Sequence, residues 1–259
     1  MAKKLSFYCV TLLFSSCFLC ISVHAQNHYH YQYEVVKMDS TFDKEVDLTV
    51  ETYIKYLKQD KDKKMGQIIG SSKEVLTSFA PMSPLSNLLV DIIFEWGNTY
   101  LSSKKSEQAD MALLNFGGIR AALPQGKITV GDIYQIAPFD NTVAFVYAKG
   151  SELKKMFGVF TEKRNAPMAN VQTTYRNGRL SAYTIANAPL DNDKVYIIVT
   201  LNFLAKGGDN LLNSVISENV IYTNTPVRDV FIDWIRKKTV ENIEIEGVTD
   251  DRVIILSTP

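Results

Sequence analysis

Apolar and polar positions alternate along this chain in several distinct rhythms, and each rhythm predicts an element. "KEVDLTVETYIKYLKQDKDKKM", residues 44–65, repeats apolar residues at helical spacing with a charged far side, which predicts an exposed amphipathic helix. "SPLSNLLVDIIFEWGNTYL" follows Pro84 and Ser86 with a dense apolar run, a core helix from Leu88 to Leu101. "ADMALLNFGG" reads as a buried strand ending in a glycine turn. The stretch from Lys127 to Phe157 gives a short helix, a turn at Pro138, a strand and another helix. "TTYRNGRLSAYTI" places Asn177-Gly178 between alternating runs, a hairpin signal. "KVYIIVTLNFLAKGGDNL" is a strand entering a second Gly-Gly loop, and "PVRDVFIDWIRKKTV" is a late amphipathic helix. Strands and helices mix without regular βαβ alternation, so the expected fold class is α+β, a single mixed-sheet domain with flanking helices.

Composition agrees with a packed domain: 46% of the 259 residues are hydrophobic and 22% charged. Formal charge is zero, which gives no electrostatic case for nucleic acid or an anionic membrane as partner. The first residues change the picture. Lys3 and Lys4 precede an apolar run from Leu5 to Val23 that ends in Val23-His24-Ala25. That is the layout of a secretory leader cut after Ala25. Serines and cysteines interrupt the run, which argues against a transmembrane anchor. A lipoprotein leader built on Cys17 or Cys20 is the other alternative, against which the residues after Cys17 remain strongly apolar. The expected layout is therefore a signal peptide at 1–25, a polar, tyrosine-rich lead-in at 26–45 and the domain at 46–259, with no membrane span after cleavage. Export to the periplasm is the first expectation and a cell-surface lipoprotein the second.

Cleavage would remove Cys9, Cys17, Cys20 and His24, leaving no cysteine and only His28 and His30. Thiol catalysis and cysteine-ligated zinc are then excluded, and the usual histidine bases are scarce. The two histidines sit in "QNHYHYQYE", which suits a solvated tail better than a metal site. No phosphate loop, dinucleotide fingerprint or nucleophile elbow is present. Paired carboxylates remain open, since nothing singles out a pair.

Two loops share a design: a buried strand, then Gly-Gly, then a charged residue. The first holds Asn115, Gly117, Gly118 and Arg120, the second Phe203, Gly207, Gly208 and Asp209. Glycines there let the backbone approach a ligand. Arg120 offers a planar fork of donors, and Asp209 offers two acceptors for a vicinal diol such as a ribose. Phe139 and Phe203 follow Pro138 and Asn202 at strand ends, where rings can project from the rim of a sheet. Singly, each has an ordinary explanation, a tight turn, a surface ion pair or a core ring.

"NFGGIRAALPQGKITVGDIYQIAPFDNTVAFVYAKGSELKKMF" and "VYIIVTLNFLAKGGDNL" resemble the C-terminal domain of the 5′-nucleotidase family, with order and flanks agreeing from about Pro84 to "DDRVII". The resemblance implies that the domain binds the nucleoside part of a nucleotide. Phe139 and Phe203 would sandwich the base, Asn115 would hydrogen-bond near it, and Arg120 and Asp209 would hold the ribose, with Arg120 toward the phosphate. Gly117, Gly118, Gly207 and Gly208 would shape the loops. It also implies that hydrolysis belongs to a metallophosphatase domain whose two metals activate water. This chain is expected to hold no cofactor, the divalent metals residing in a separately encoded metallophosphatase partner. The chain departs from the family in "SFAPMSPLSNLL", where Pro81 and Met82 stand at positions of an Arg and a Glu and Ser86 replaces a glycine, and "ANVQTTY" lacks a Ser-Gly before the hairpin. Phe116, at a usual glycine, is expected to narrow the first loop. A stand-alone binding module and a purely structural or adhesive domain are the alternatives to a substrate-recognition half.

Overall fold

In a computed structural model the described residues are 31–41, 47–215 and 219–256. The proposed leader, with its cysteines and His24, and also His28 and His30, lie outside them. The chain divides between Thr52 and Tyr53 into two units. In the first, residues 31–38 are exposed and without regular structure, and the Asp47 carboxylate accepts hydrogen bonds from the Thr49 and Val50 amides at 2.9 and 3.2 Å, starting a helix. That helix, α1 (Leu48–Met65), buries none of its residues, so the expected exposed amphipathic helix is found with its apolar stripe in solvent.

The second unit is built around a five-stranded mixed sheet. Its strands are β2 (Met111–Leu113), β4 (Thr142–Lys149), β5 (Met168–Ala169), β8 (Val195–Leu201) and β9 (Val220–Pro226), in the order β5-β2-β8-β4-β9. β8 lies parallel to β2 and antiparallel to β4, with Val143 opposite Leu201 and Lys149 opposite Val195. Helix α2 (Pro84–Lys105) packs on this sheet. It starts four residues before the expected Leu88 and runs on to Lys105: Pro84 sits in the first turn, and the Ser83 and Ser86 hydroxyls bond across the buried N-terminus at 2.7 Å. The serine standing at a glycine position is thus taken up by a capping box. Gly97 lets α2 come down onto β8, since a Cβ there would lie 2.5 Å from the Val199 side chain.

Two smaller sheets complete the unit. β1 (Ile68–Ser72) pairs antiparallel with β3 (Gly126–Thr129), and α6 (Val227–Val240) packs against β1 as well as α2. β6 (Val171–Arg176) and β7 (Arg179–Ile185) form the expected hairpin, with Asn177 and Gly178 at φ of 52° and 75° as a two-residue turn of that kind requires. β10 (Val253–Leu256) adds to β6 in parallel, and Arg252 reaches back to Asp91 on α2 with two bonds of 2.9 and 2.8 Å. The α+β class holds. Helix α3 (Val130–Ile136) is the expected short helix, preceded by the strand residues Lys127–Thr129; Thr129 caps it, accepting from the Asp132 amide. Helix α4 (Gly150–Gly158) follows β4 as expected.

Candidate functional site

Topology brings the two Gly-Gly loops together. Because β2 and β8 are parallel, their carboxyl ends lie at the same edge of the sheet, and antiparallel β4 begins there. The buried Thr200 hydroxyl donates to the Leu113 carbonyl at 2.8 Å and ties the two strand ends. The first loop leaves β2 through Asn115 into a single 3₁₀ turn, Phe116–Gly118. The second leaves β8 through a short helix, α5 (Asn202–Ala205), and a second 3₁₀ turn, Gly208–Asn210. The segment before β4 carries Phe139.

A cleft of about 330 Å³ opens at this edge, lined by Asn115, Gly117, Gly118, Arg120, Phe139, Asn141, Phe203 and Asp209. Seven of the nine residues singled out in the sequence line it. The other two, Gly207 and Gly208, stand behind Phe203 and Asp209. Gly207 has φ of 92°, a left-handed conformation that favours glycine. Gly208 lies under the Phe203 ring, whose nearest carbon is 2.4 Å from where a Cβ would be. Neither aromatic is at a strand end in the strict sense: Phe203 is in α5 just past β8, and Phe139 is in a loop before β4. Both rings are about half exposed, Phe139 at 49% and Phe203 at 43%.

The polar groups are bound to one another. The Asn115 Nδ2 donates to an Asp209 carboxylate oxygen at 2.5 Å, joining the two loops across 94 residues of chain. Its Oδ1 would be 2.7 Å from a Cβ on Gly118, so only glycine fits there without displacing the amide. Arg120 is exposed; its backbone amide donates to the Ile136 carbonyl at 2.8 Å and its guanidinium to the Gly117 carbonyl at 3.4 Å. Asn202 accepts from the amides of Thr142 and Phe203, at 3.2 and 2.8 Å, and so fixes the root of Phe203 to the start of β4. Sequence reasoning passed over Asn141 and the anchoring use of Asn202; the signal was their place at a strand boundary, Asn202 next to Phe203 and Asn141 two residues after Phe139. Phe116, Pro81 and Met82 do not line the cleft. Among the described residues, no group of three or more His, Cys, Asp or Glu is placed to hold a metal ion, and no helix is long and apolar enough to cross a membrane.

Two half-exposed rings, a carboxylate and a guanidinium thus line one concave site at the end of a mixed sheet. Residues 64–215 match the model of the 5′-nucleotidase C-terminal domain, and the chain belongs to that family. It is 38% identical over 106 residues to protein UshA of Yersinia enterocolitica, covering 39% of this chain and 19% of that protein. A 5′-nucleotidase of Vibrio cholerae is 31% identical over 123 residues, 46% of this chain and 22% of that one. The crystal structure of a 5′-nucleotidase precursor from Thermus thermophilus superposes with a TM-score of 0.65 at 26% identity, covering 82% of this chain and 44% of that chain. The matched region thus spans about a fifth of these curated relatives and less than half of the solved structure.

Proposed function

We propose that the cleft binds the nucleoside part of a nucleotide and that the chain is the recognition half of an exported 5′-nucleotidase. The observation that carries this reading is the convergence of Phe139, Phe203, Asp209 and Arg120 on one cleft from three separate segments. Large rings left half exposed at a concave site are platforms for a flat ligand, and stacking on a base demands little of its identity. Asp209 accepts from ribose hydroxyls, and Arg120, exposed at the rim, meets the phosphate side. Asn115 donates one N–H to Asp209 and so orients the ribose acceptor, leaving its second N–H and its Oδ1 to hydrogen-bond near the base.

Hydrolysis of the phosphate ester falls to a separately encoded metallophosphatase chain, which supplies the divalent metals. This chain contributes binding and orientation, presenting the scissile phosphate across the interface. The leader directs the protein out of the cytoplasm, and the periplasm is the compartment in which both chains would meet.

Calorimetry with AMP and adenosine, with phosphate release followed in the same samples after adding divalent metal, tests the reading. Binding without release, weakened by Phe203→Ala and by Asp209→Ala, is expected. Release that appears only when a metallophosphatase chain is added supports the two-chain reading; binding that no such chain converts to release supports a stand-alone binder. No binding by the wild type, with or without a metallophosphatase, would reject the proposal.

A further inference from the structure

Arg228 is the second residue of α6, where the helix dipole disfavours a cation, yet its side chain is only 13% exposed. Its compensation lies around Phe139. The guanidinium donates to the carbonyls of Ala137 and Pro138, at 3.4 and 3.1 Å, and to the Asp140 carboxylate. It also sits 4.4 Å from the centre of the Tyr134 ring. Ala137 closes α3, so the cation faces the end of that helix where carbonyls lack partners. Phe139 is therefore held from both sides, by the two residues before it and the one after it. The Val227 amide adds a bond to the Asn141 carbonyl at 3.0 Å, so one helix start grips the whole turn.

We propose that Arg228 is a positioning residue for Phe139, a clamp that fixes the ring at the cleft before a ligand arrives. The inference rests on the cleft being the nucleoside site, but the clamp can be measured without any ligand. Its value is pre-organisation: a ring on a loose loop must be ordered when the ligand stacks on it, and that ordering subtracts from affinity. The Asp140 side chain is 92% exposed, so its ion pair contributes little hold by itself. The two carbonyl bonds and the Tyr134 face hold the loop, and the carboxylate aims the fork. Lysine cannot replace it, because a single ammonium lacks the planar fork that spans two carbonyls and a carboxylate.

The experiment uses the full chain as wild type, R228Q, R228K and D140A, each alone and in Phe139→Ala and Phe203→Ala backgrounds. Amide hydrogen exchange over residues 137–141 is read without ligand, and AMP affinity by calorimetry. R228Q is expected to speed exchange at 137–141 and weaken AMP about three- to tenfold. R228K moves both in the same direction by less, and D140A, whose exposed side chain cannot unfold the protein, by less again. In the Phe139→Ala background R228Q costs no further affinity, whereas in the Phe203→Ala background it costs its full factor. Unchanged exchange at 137–141 in all three variants overturns the clamp, as does an equal affinity cost with and without the Phe139 ring. Exchange that responds to Arg228 in a wild-type chain that does not bind AMP leaves the clamp standing and sinks the nucleoside reading.

Discussion

Gly208→Ala separates ligand platform from scaffold. The residue's φ is not in the left-handed region, so alanine is permitted by the backbone, unlike at Gly207. The new methyl would lie 2.4, 2.5 and 2.6 Å from three carbons of the Phe203 ring, where ordinary contact begins near 3.4 Å. The ring must withdraw by about 1 Å or swing away. Being 43% exposed, it can move into solvent, so stability should change by less than about 1 kcal/mol. Base stacking on one ring is worth roughly 1–3 kcal/mol. Loss of it corresponds to about 5- to 150-fold weaker AMP binding. Calorimetry with AMP, beside a urea denaturation curve, reads both quantities. Two results refute the reasoning: AMP affinity unchanged in Gly208→Ala, or the same loss recurring when Phe203 is already alanine. In the second case the methyl acts through the loop and the ring is no platform.

Other perturbations address the scaffold. Gly97→Ala drives a methyl into the buried Val199 and should cost about 1–3 kcal/mol, read as a lower urea midpoint with unchanged slope. Thr129→Ala removes the cap of α3 and should cost about 1 kcal/mol in thermal or urea unfolding. Asp250 is held below the usual carboxylate range by its hydrogen bond from Arg252, so the stability it contributes is complete above its unfolded pKa and is lost as pH falls through the lowered folded value. The gap between wild type and Asp250→Asn should therefore be full at pH 7 and begin to close below about pH 4, and a gap undiminished at pH 2 contradicts this. Asp91, on the same guanidinium, is shifted upward by burial, which makes the difference between the two proteins, not either curve, the quantity to follow.

Much of the second unit was legible because its signals are local. A run such as Leu88 to Leu101 buries one face wherever it docks, and Asn177-Gly178 dictates its turn without help from distant residues. What escaped was set by partners far along the chain. Ile68–Ser72 contains a glycine and two serines and becomes a strand only by pairing with residues 126–129. Val253–Leu256 is four residues long and depends on a strand some 80 positions earlier. The site divides the same way. Strand, glycines and charge marked both loops, but nothing local said that β2 and β8 run parallel and deliver the loops to one edge. Nor could it say that Asn115 donates to Asp209 across the two loops, or that an arginine 89 positions beyond Phe139 grips the turn around it.

The parallel pairing of β10 with β6 has a consequence for the order of synthesis. β6 is the middle strand of its sheet, yet one of its neighbours lies some 80 residues further along the chain and is made well after it. While the chain grows, β6 can pair with β7 but presents its other flank as an open edge, with the alternate residues Val171, Thr173 and Tyr175 turned toward what will be core. Such an edge is a template for pairing with the wrong strand. Residues 171–176 are thus a segment in need of shelter while the chain grows, and the four residues of β10 end that need.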